Sequence, residues 1–183
     1  MPLTTHPLPY GLRDVKITPY TDAAATTLGT SVDLPVGRTF SFSEAEEFTE
    51  LRGDDKVVAT RGQGSTVEFE LESGGISLDA WKVLSGGTLT TTGTAPAQSK
   101  KLSKKSTDAR PYFKVEGQII SDSGGDVHCV LPKCKITDSL EGEFSDGEFM
   151  LTNASGTAIG STLTGQEDVV YEMTQNETAV AIT

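Results

Sequence analysis

The sequence predicts an all-β domain, a β-sandwich or partly closed barrel with one short flanking α-helix. Three observations predict it. Residues 66–72 alternate strictly, Val67, Phe69 and Leu71 against Thr66, Glu68, Glu70 and Glu72, the period of two of a half-buried strand. Short apolar runs are separated by clusters of Gly, Asp and Ser in a chain with 19 glycines. The only helix signal is brief and local: Ser77 fits an N-cap, Asp79 sits in the first turn, Ile76 can staple onto Trp81, and Gly86 and Gly87 stop the run.

The elements follow in order along 183 residues, a length that suits a single domain with a substantial core. Residues 1–11, with three prolines and a histidine, read as an irregular N-terminal arm. A first strand covers 12–20, a small-residue loop 22–27, and a weak strand 30–36 is interrupted by Pro35. A long strand runs over 39–51; Phe40, Phe42 and Phe48 share parity but Ala45 does not, which predicts a bulge near 44–46. LRGDD at 51–55 is a turn, and VVAT at 57–60 and the alternating segment at 66–72 are the next two strands.

After the helix, 88–92 is a short Thr-rich strand, and 93–110 has no period and reads as a long lysine-bearing loop. Phe113, Val115 and Ile119 alternate with Lys114, Glu116 and Gln118, SDSGGD turns the chain, and 127–136 returns, giving a hairpin. A further hairpin spans 137–152 with Asp146 and Gly147 at its turn. Val169, Tyr171 and Met173 form a late strand, and 174–183 reads as a polar tail that frays.

Composition excludes several function classes. A formal charge of −11 opposes binding nucleic acid by neutralising phosphates. Residues 100–110 carry five basic side chains against Asp108 alone, so the body is more acidic than the total suggests. No segment approaches membrane-spanning length and no secretory signal opens the chain, which places synthesis in a cytoplasm without export. Cys129 and Cys134 read as reduced core or half-buried thiols rather than a bridge.

Catalytic signatures are missing as well. The only histidines are His6 and His128; His128 beside Cys129 lacks the four ligands of a structural zinc, and a satisfied strand histidine is the better reading. No strained GxSxG turn is present for a triad. GQGST at 62–66 lacks the lysine and helix of a phosphate cradle, and Asp54 and Asp55 lack EF-hand spacing. Carboxylate pairs such as Glu44 with Glu46, Glu68 with Glu70 and Glu141 with Glu143 recur, but a sugar cleft lined by rings does not fit one Trp and four Tyr. The expectation is a protein that is not an enzyme and uses no cofactor or metal. Trp81 reads as a lid over the sheet.

The order of pieces carries a resemblance. An acidic Phe-bearing strand (RTFSFSEAEEFTE, 38–50), the LRGDD turn, VVAT, the Glu-alternating strand, the Trp-containing helix ending in GG, the lysine-bearing segment and RPYFKVEGQIISDSGGDVHCVLPKCKIT follow one another over roughly 12–157. In this order the chain resembles the major tail proteins of bacteriophages with long, non-contractile tails. The resemblance implies a virion structural protein, made in the host cytoplasm, whose hexameric rings stack into a tube through which DNA passes during ejection. It also implies a tape-measure protein, a tail terminator and a distal tail protein as partners.

Two groups of residues take roles from that resemblance. Glu44, Glu46, Glu68, Glu70 and Glu72 are candidates to line a negative lumen, although glutamate on the wet side of a strand is ordinary without any function. Lys100, Lys101, Lys104 and Lys105 are candidates for an inter-ring contact, the alternative being a solvated mobile loop. Rival readings are a secretion-tube protein of the same architecture, a capsid decoration or adhesin-type β-sandwich module, and a carbohydrate-active β-sandwich enzyme, which the scarcity of aromatic rings disfavours.

Overall fold

A computed structural model describes residues 6–182. The chain forms strands β1 (Pro9–Pro19), β2 (Val32–Asp33), β3 (Gly37–Gly53) and β4 (Lys56–Gly74), then helix α1 (Leu78–Ser85). Next come β5 (Thr88–Thr92), β6 (Ser99–Ser103), β7 (Phe113–Ser121) and β8 (Asp126–Lys135). The last strands are β9 (Leu140–Gly142), β10 (Leu151–Ala158) and β11 (Glu172–Asn176). The fold is therefore all-β and sandwich-like with one short helix, as the alternation and turn chemistry predict.

Nine strands make one antiparallel sheet in the order β2-β1-β7-β8-β10-β4-β3, with β11 also on β8 and β9 also on β10. The sheet folds over on itself, so that Phe40 of β3 lies where a side chain at Gly117 of β7 would be, and Gly37 sits against Val15 of β1. Between the layers lie Val15 and Ile17, Val67, Phe69 and Leu71, Phe113 and Val115, Leu131, and Ala154 and Ala158. Phe69 and Phe113 meet edge to face, their centroids 6.0 Å apart. The alternation at 66–72 places its apolar residues here, and each buried Val, Leu or Phe contributes about 1.5–3 kcal/mol.

Helix α1 closes one end of this core with Ala80, Val83 and Leu84. Ser77 accepts a hydrogen bond from the Ala80 amide at 3.3 Å, and the Gly86 amide returns to the Lys82 carbonyl at a φ of 80° that glycine adopts without strain. The Trp81 indole donates to Thr152 Oγ1 at 3.1 Å and its ring packs over Gly142, a lid on the sheet.

Several expectations are corrected. The segment at 93–110 is not one long loop: β6 pairs β5 with Leu102 opposite Leu89, and only 93–98 and 104–110 are irregular. The two strands expected around GQGST are one 19-residue strand, β4, which passes through Gly62 and Gly64 with an irregularity opposite Glu46 and Phe48. Of the irregular arm expected at 1–11, residues 1–5 lie outside the described residues. The rest is tied in, since the Leu8 amide donates to Ser121 Oγ at 3.0 Å and β1 starts at Pro9, a strand position that proline tolerates.

The C-terminal tail is likewise tied in as far as residue 182. Strand β11 occupies Glu172–Asn176, Ile182 is buried, and Lys16 Nζ donates to its carbonyl at 2.8 Å. The polar composition of 174–183 concealed this because the tail is anchored chiefly by hydrogen bonds. No helix among the described residues is long and apolar enough to cross a membrane.

Candidate functional site

Strands β3 and β4, 17 and 19 residues long, outrun the other strands, the longest of which is β1 with 11. The base of their hairpin belongs to the core, with Phe40 opposite Leu71 and Phe42 opposite Phe69. Beyond Glu44 and Val67, β10 no longer pairs with β4, and a two-stranded ribbon projects to a turn at Asp54 and Asp55, both at the positive φ of a tight hairpin turn. Residues 43–61 are all exposed, a reach of roughly 25 Å from Glu46 to Gly53 at strand spacing.

This ribbon is not polar. Phe48, Leu51, Val57 and Val58 are exposed by 61%, 63%, 48% and 66%, an apolar content that a lone hairpin in water has no means to bury. The register puts Phe48 on one face with Arg52 and its partner Val57, and Leu51 with Ala59 on the other, while Val58 falls at the irregularity between Leu51 and Arg52, beside Gly53. Both edges of the ribbon carry unpaired backbone groups, the arrangement that templates pairing with another chain.

The wet face of the sheet behind the arm is acidic. Thr39, Ser41 and Ser43 stand opposite Glu72, Glu70 and Glu68, and Asn153, Ser155 and Thr157 of β10 complete the surface on the far side of β4. A shallow groove of about 380 Å³ crosses it, bordered by Ser41, Ser43, Glu68, Glu70, Asp138 and Thr157. Glu72 is held by Arg38 at 2.9 Å, whereas Glu68 and Glu70 point into water. Such a surface repels anions.

The five candidate lumen residues do not share that surface. Glu68, Glu70 and Glu72 do; Glu44 and Glu46 lie on the opposite face, because Glu44 pairs with Val67 and even positions of β3 therefore face with odd positions of β4. Glu44 accepts a hydrogen bond from the Tyr171 hydroxyl at 3.2 Å, and this bond and the carboxylate's charge raise the pKa of that phenol. Glu46 lies beside Gly62. The lysine run is also divided. Lys100 is paired with Asp79 and Lys104 donates to the Ser85 carbonyl, both pinned to α1, while Lys101 and Lys105 extend from the β5–β6 hairpin and its exit without an ion pair among the described residues.

Sequence reasoning missed a buried polar cluster that fastens the tail. Asp126, 1% exposed, accepts from Gln118 Nε2 at 2.5 Å, the Val180 amide at 2.9 Å and Asn176 Nδ2 at 2.8 Å. His128 Nε2 stands 2.9 Å from both Asp126 Oδ2 and the Val180 carbonyl; both are acceptors, so this nitrogen carries the hydrogen. His128 is thus a hydrogen-bonded strand histidine. Burial pushes the Asp126 carboxyl up, but the hydrogen bonds outweigh it and hold the pKa at about 2.

Cys129 and Cys134 are free, buried thiols; burial raises Cys129 to about 11 and Cys134 well above the ordinary thiol range. Among the described residues no three His, Cys, Asp or Glu side chains gather as a metal site. No protein-family model and no curated protein matches the chain.

Proposed function

We propose that this chain is a virion structural protein, the major tail-tube subunit of a phage with a long non-contractile tail, which closes into hexameric rings stacked as a channel for DNA. The projecting β3–β4 arm carries this reading: it holds four large apolar side chains in water on a ribbon with two open edges, a device that gains stability only against another chain. The rims of the sheet support it too. Strand β2 covers only Lys16 and Ile17 of β1, and β3 is the last strand on the other side, so lateral pairing between copies would complete both.

The acidic face is the natural wall of such a channel. Glu68, Glu70 and Glu72 would oppose phosphates by like-charge repulsion in a confined bore, so DNA passes without adhering. The tape-measure, terminator and distal tail proteins remain partners by the sequence resemblance alone.

Electron microscopy of the purified chain, with its mass measured over a range of concentrations, tests the reading. Tubes or stacked rings with a central hole are expected. A compact monomer at every concentration overturns the proposal and favours a decoration or adhesin-type module.

A further inference from the structure

The charge of this chain is strongly polarised. Residues 136–183 hold nine acidic side chains and neither lysine nor arginine, while the last two lysines of the sequence, Lys133 and Lys135, converge on one aromatic ring. Their ammonium nitrogens lie 5.0 and 4.9 Å from the Tyr112 centroid. Lys133 is buried, with only Thr162 Oγ1 at 3.3 Å as a hydrogen-bond partner, and neither lysine forms an ion pair among the described residues. Two cations gathered at one ring, neither ion-paired with a carboxylate among the described residues, leave a site that an anion would complete.

The complementary feature lies on the 143–150 loop. Its Phe144 and Phe149 are 86% and 94% exposed, nearly the whole of two phenyl rings in water, and Glu143, Asp146 and Glu148 flank them. Strand β10 separates the two features. The loop enters β10 at Leu151, whereas Lys135 pairs with Thr157 and the Lys133 carbonyl accepts from Ile159 at the other end. Seven strand steps place them roughly 23 Å apart, so within one molecule they sit at opposite poles of the same strand.

We propose that the acidic, phenylalanine-bearing 143–150 loop of one copy docks on the Tyr112–Lys133–Lys135 cluster of a second copy, joining copies head to tail. Carboxylates of the loop meet the Lys135 ammonium at the surface, with the buried Lys133 ammonium behind it adding to the positive field, and a phenyl ring meets the Tyr112 edge. Such a contact is heterologous: each copy keeps a free loop at one end and a free cluster at the other, so it continues along an axis. The inference rests on the self-assembly proposed above and adds the stacking contact to the arm's lateral one.

Two variants of the full chain test it. One has a disabled cluster, Lys135→Glu with Tyr112→Ala; the other has a disabled loop, Phe144→Ser, Phe149→Ser and Glu148→Lys. Far-UV circular dichroism establishes that each is folded, and Lys135→Gln with Tyr112 retained serves as a milder cluster variant. By sedimentation velocity, each variant alone is expected to lose axial growth, with association weakened about tenfold or more. An equal mixture is expected to regain one axial contact and stop there, because only the intact loop of the first finds the intact cluster of the second. Assembly of both variants as long as the wild type overturns the inference but leaves the self-assembly reading standing, and so does a mixture that regains no contact. A wild-type chain that stays monomeric overturns both.

Discussion

His128 Nε2 lies 2.9 Å from Asp126 Oδ2, and through this pair an inner strand of the sheet holds the last residues of the chain. The same carboxylate accepts the Val180 amide, and the same imidazole nitrogen faces the Val180 carbonyl. One buried anion therefore organises the turn before β8, the end of β11 and the terminal segment together.

The pH dependence of stability follows from the sign of the Asp126 shift. Its pKa in the folded chain, about 2, is below the ordinary 3.8, so its contribution is complete above about pH 4 and lost as pH falls through about 2. Asp126→Asn is expected to cost about 2 kcal/mol at neutral pH and to flatten the stability profile between pH 4 and 2. Chemical denaturation across that range measures both, and faster hydrogen exchange at Val180 would place the loss in the tail. An unchanged profile would mean that Asp126 does not hold its charge in the folded protein.

What the sequence disclosed and what it hid divide along a physical line. The alternation of Val67, Phe69 and Leu71, the β7–β8 hairpin and the Ser77 cap were legible because period and capping are local. The β5–β6 pairing was not, since Leu102 is the one apolar side chain in a strand otherwise made of Lys and Ser and its partner Leu89 lies across a turn. Asp126 looked like part of an ordinary SDSGGD turn, because its partners Asn176 and Val180 are about fifty residues away. The division of the glutamates between two faces needed the pairing of Glu44 with Val67, a register that no single strand reveals.

Close packing at the junction of β8 and β10 gives a second prediction. A Cβ at Gly156 would lie 2.2 Å from the Lys135 carbonyl oxygen and 2.8 Å from the Ile136 Cα, both backbone atoms without a rotamer to yield. Gly156→Ala is therefore expected to force the strands apart and destabilise the chain by about 3 kcal/mol, at the upper end of overpacking costs. Thermal melting reads this directly. A melting temperature within a degree or two of wild type would show that the strands separate here at little cost.

The acidic wall makes a prediction about DNA. Glu68 and Glu70 project into water and Glu72 is held by Arg38 and Thr39, so replacing all three with lysine removes little packing and should leave the subunit folded. Tubes of the wild type are expected to ignore short fluorescent DNA. Tubes of the triple variant should bind it with an affinity that falls as salt rises, the signature of counterion release. Anisotropy measured at two salt concentrations distinguishes the cases, and equal, negligible binding by both would remove these residues from the channel wall.

The arm separates stability from assembly most sharply. Phe48, Leu51, Val57 and Val58 are largely solvated in the single chain, so changing Phe48 and Val58 to serine takes away almost no buried area and should alter the unfolding free energy by less than about 0.5 kcal/mol. In an assembled ring the same side chains would each bury a large fraction of their surface, at about 25 cal/mol per Å². The double variant is therefore expected to melt like the wild type yet remain monomeric where the wild type forms rings, in light scattering and micrographs at matched concentrations. Changing Leu51 alone tests the face it shares with Ala59 and changing Phe48 alone the opposite face, so a difference between these single variants identifies the face that meets the neighbour. If the arm served only to stiffen the monomer, melting temperature would fall and assembly would not, the reverse of the expected pattern.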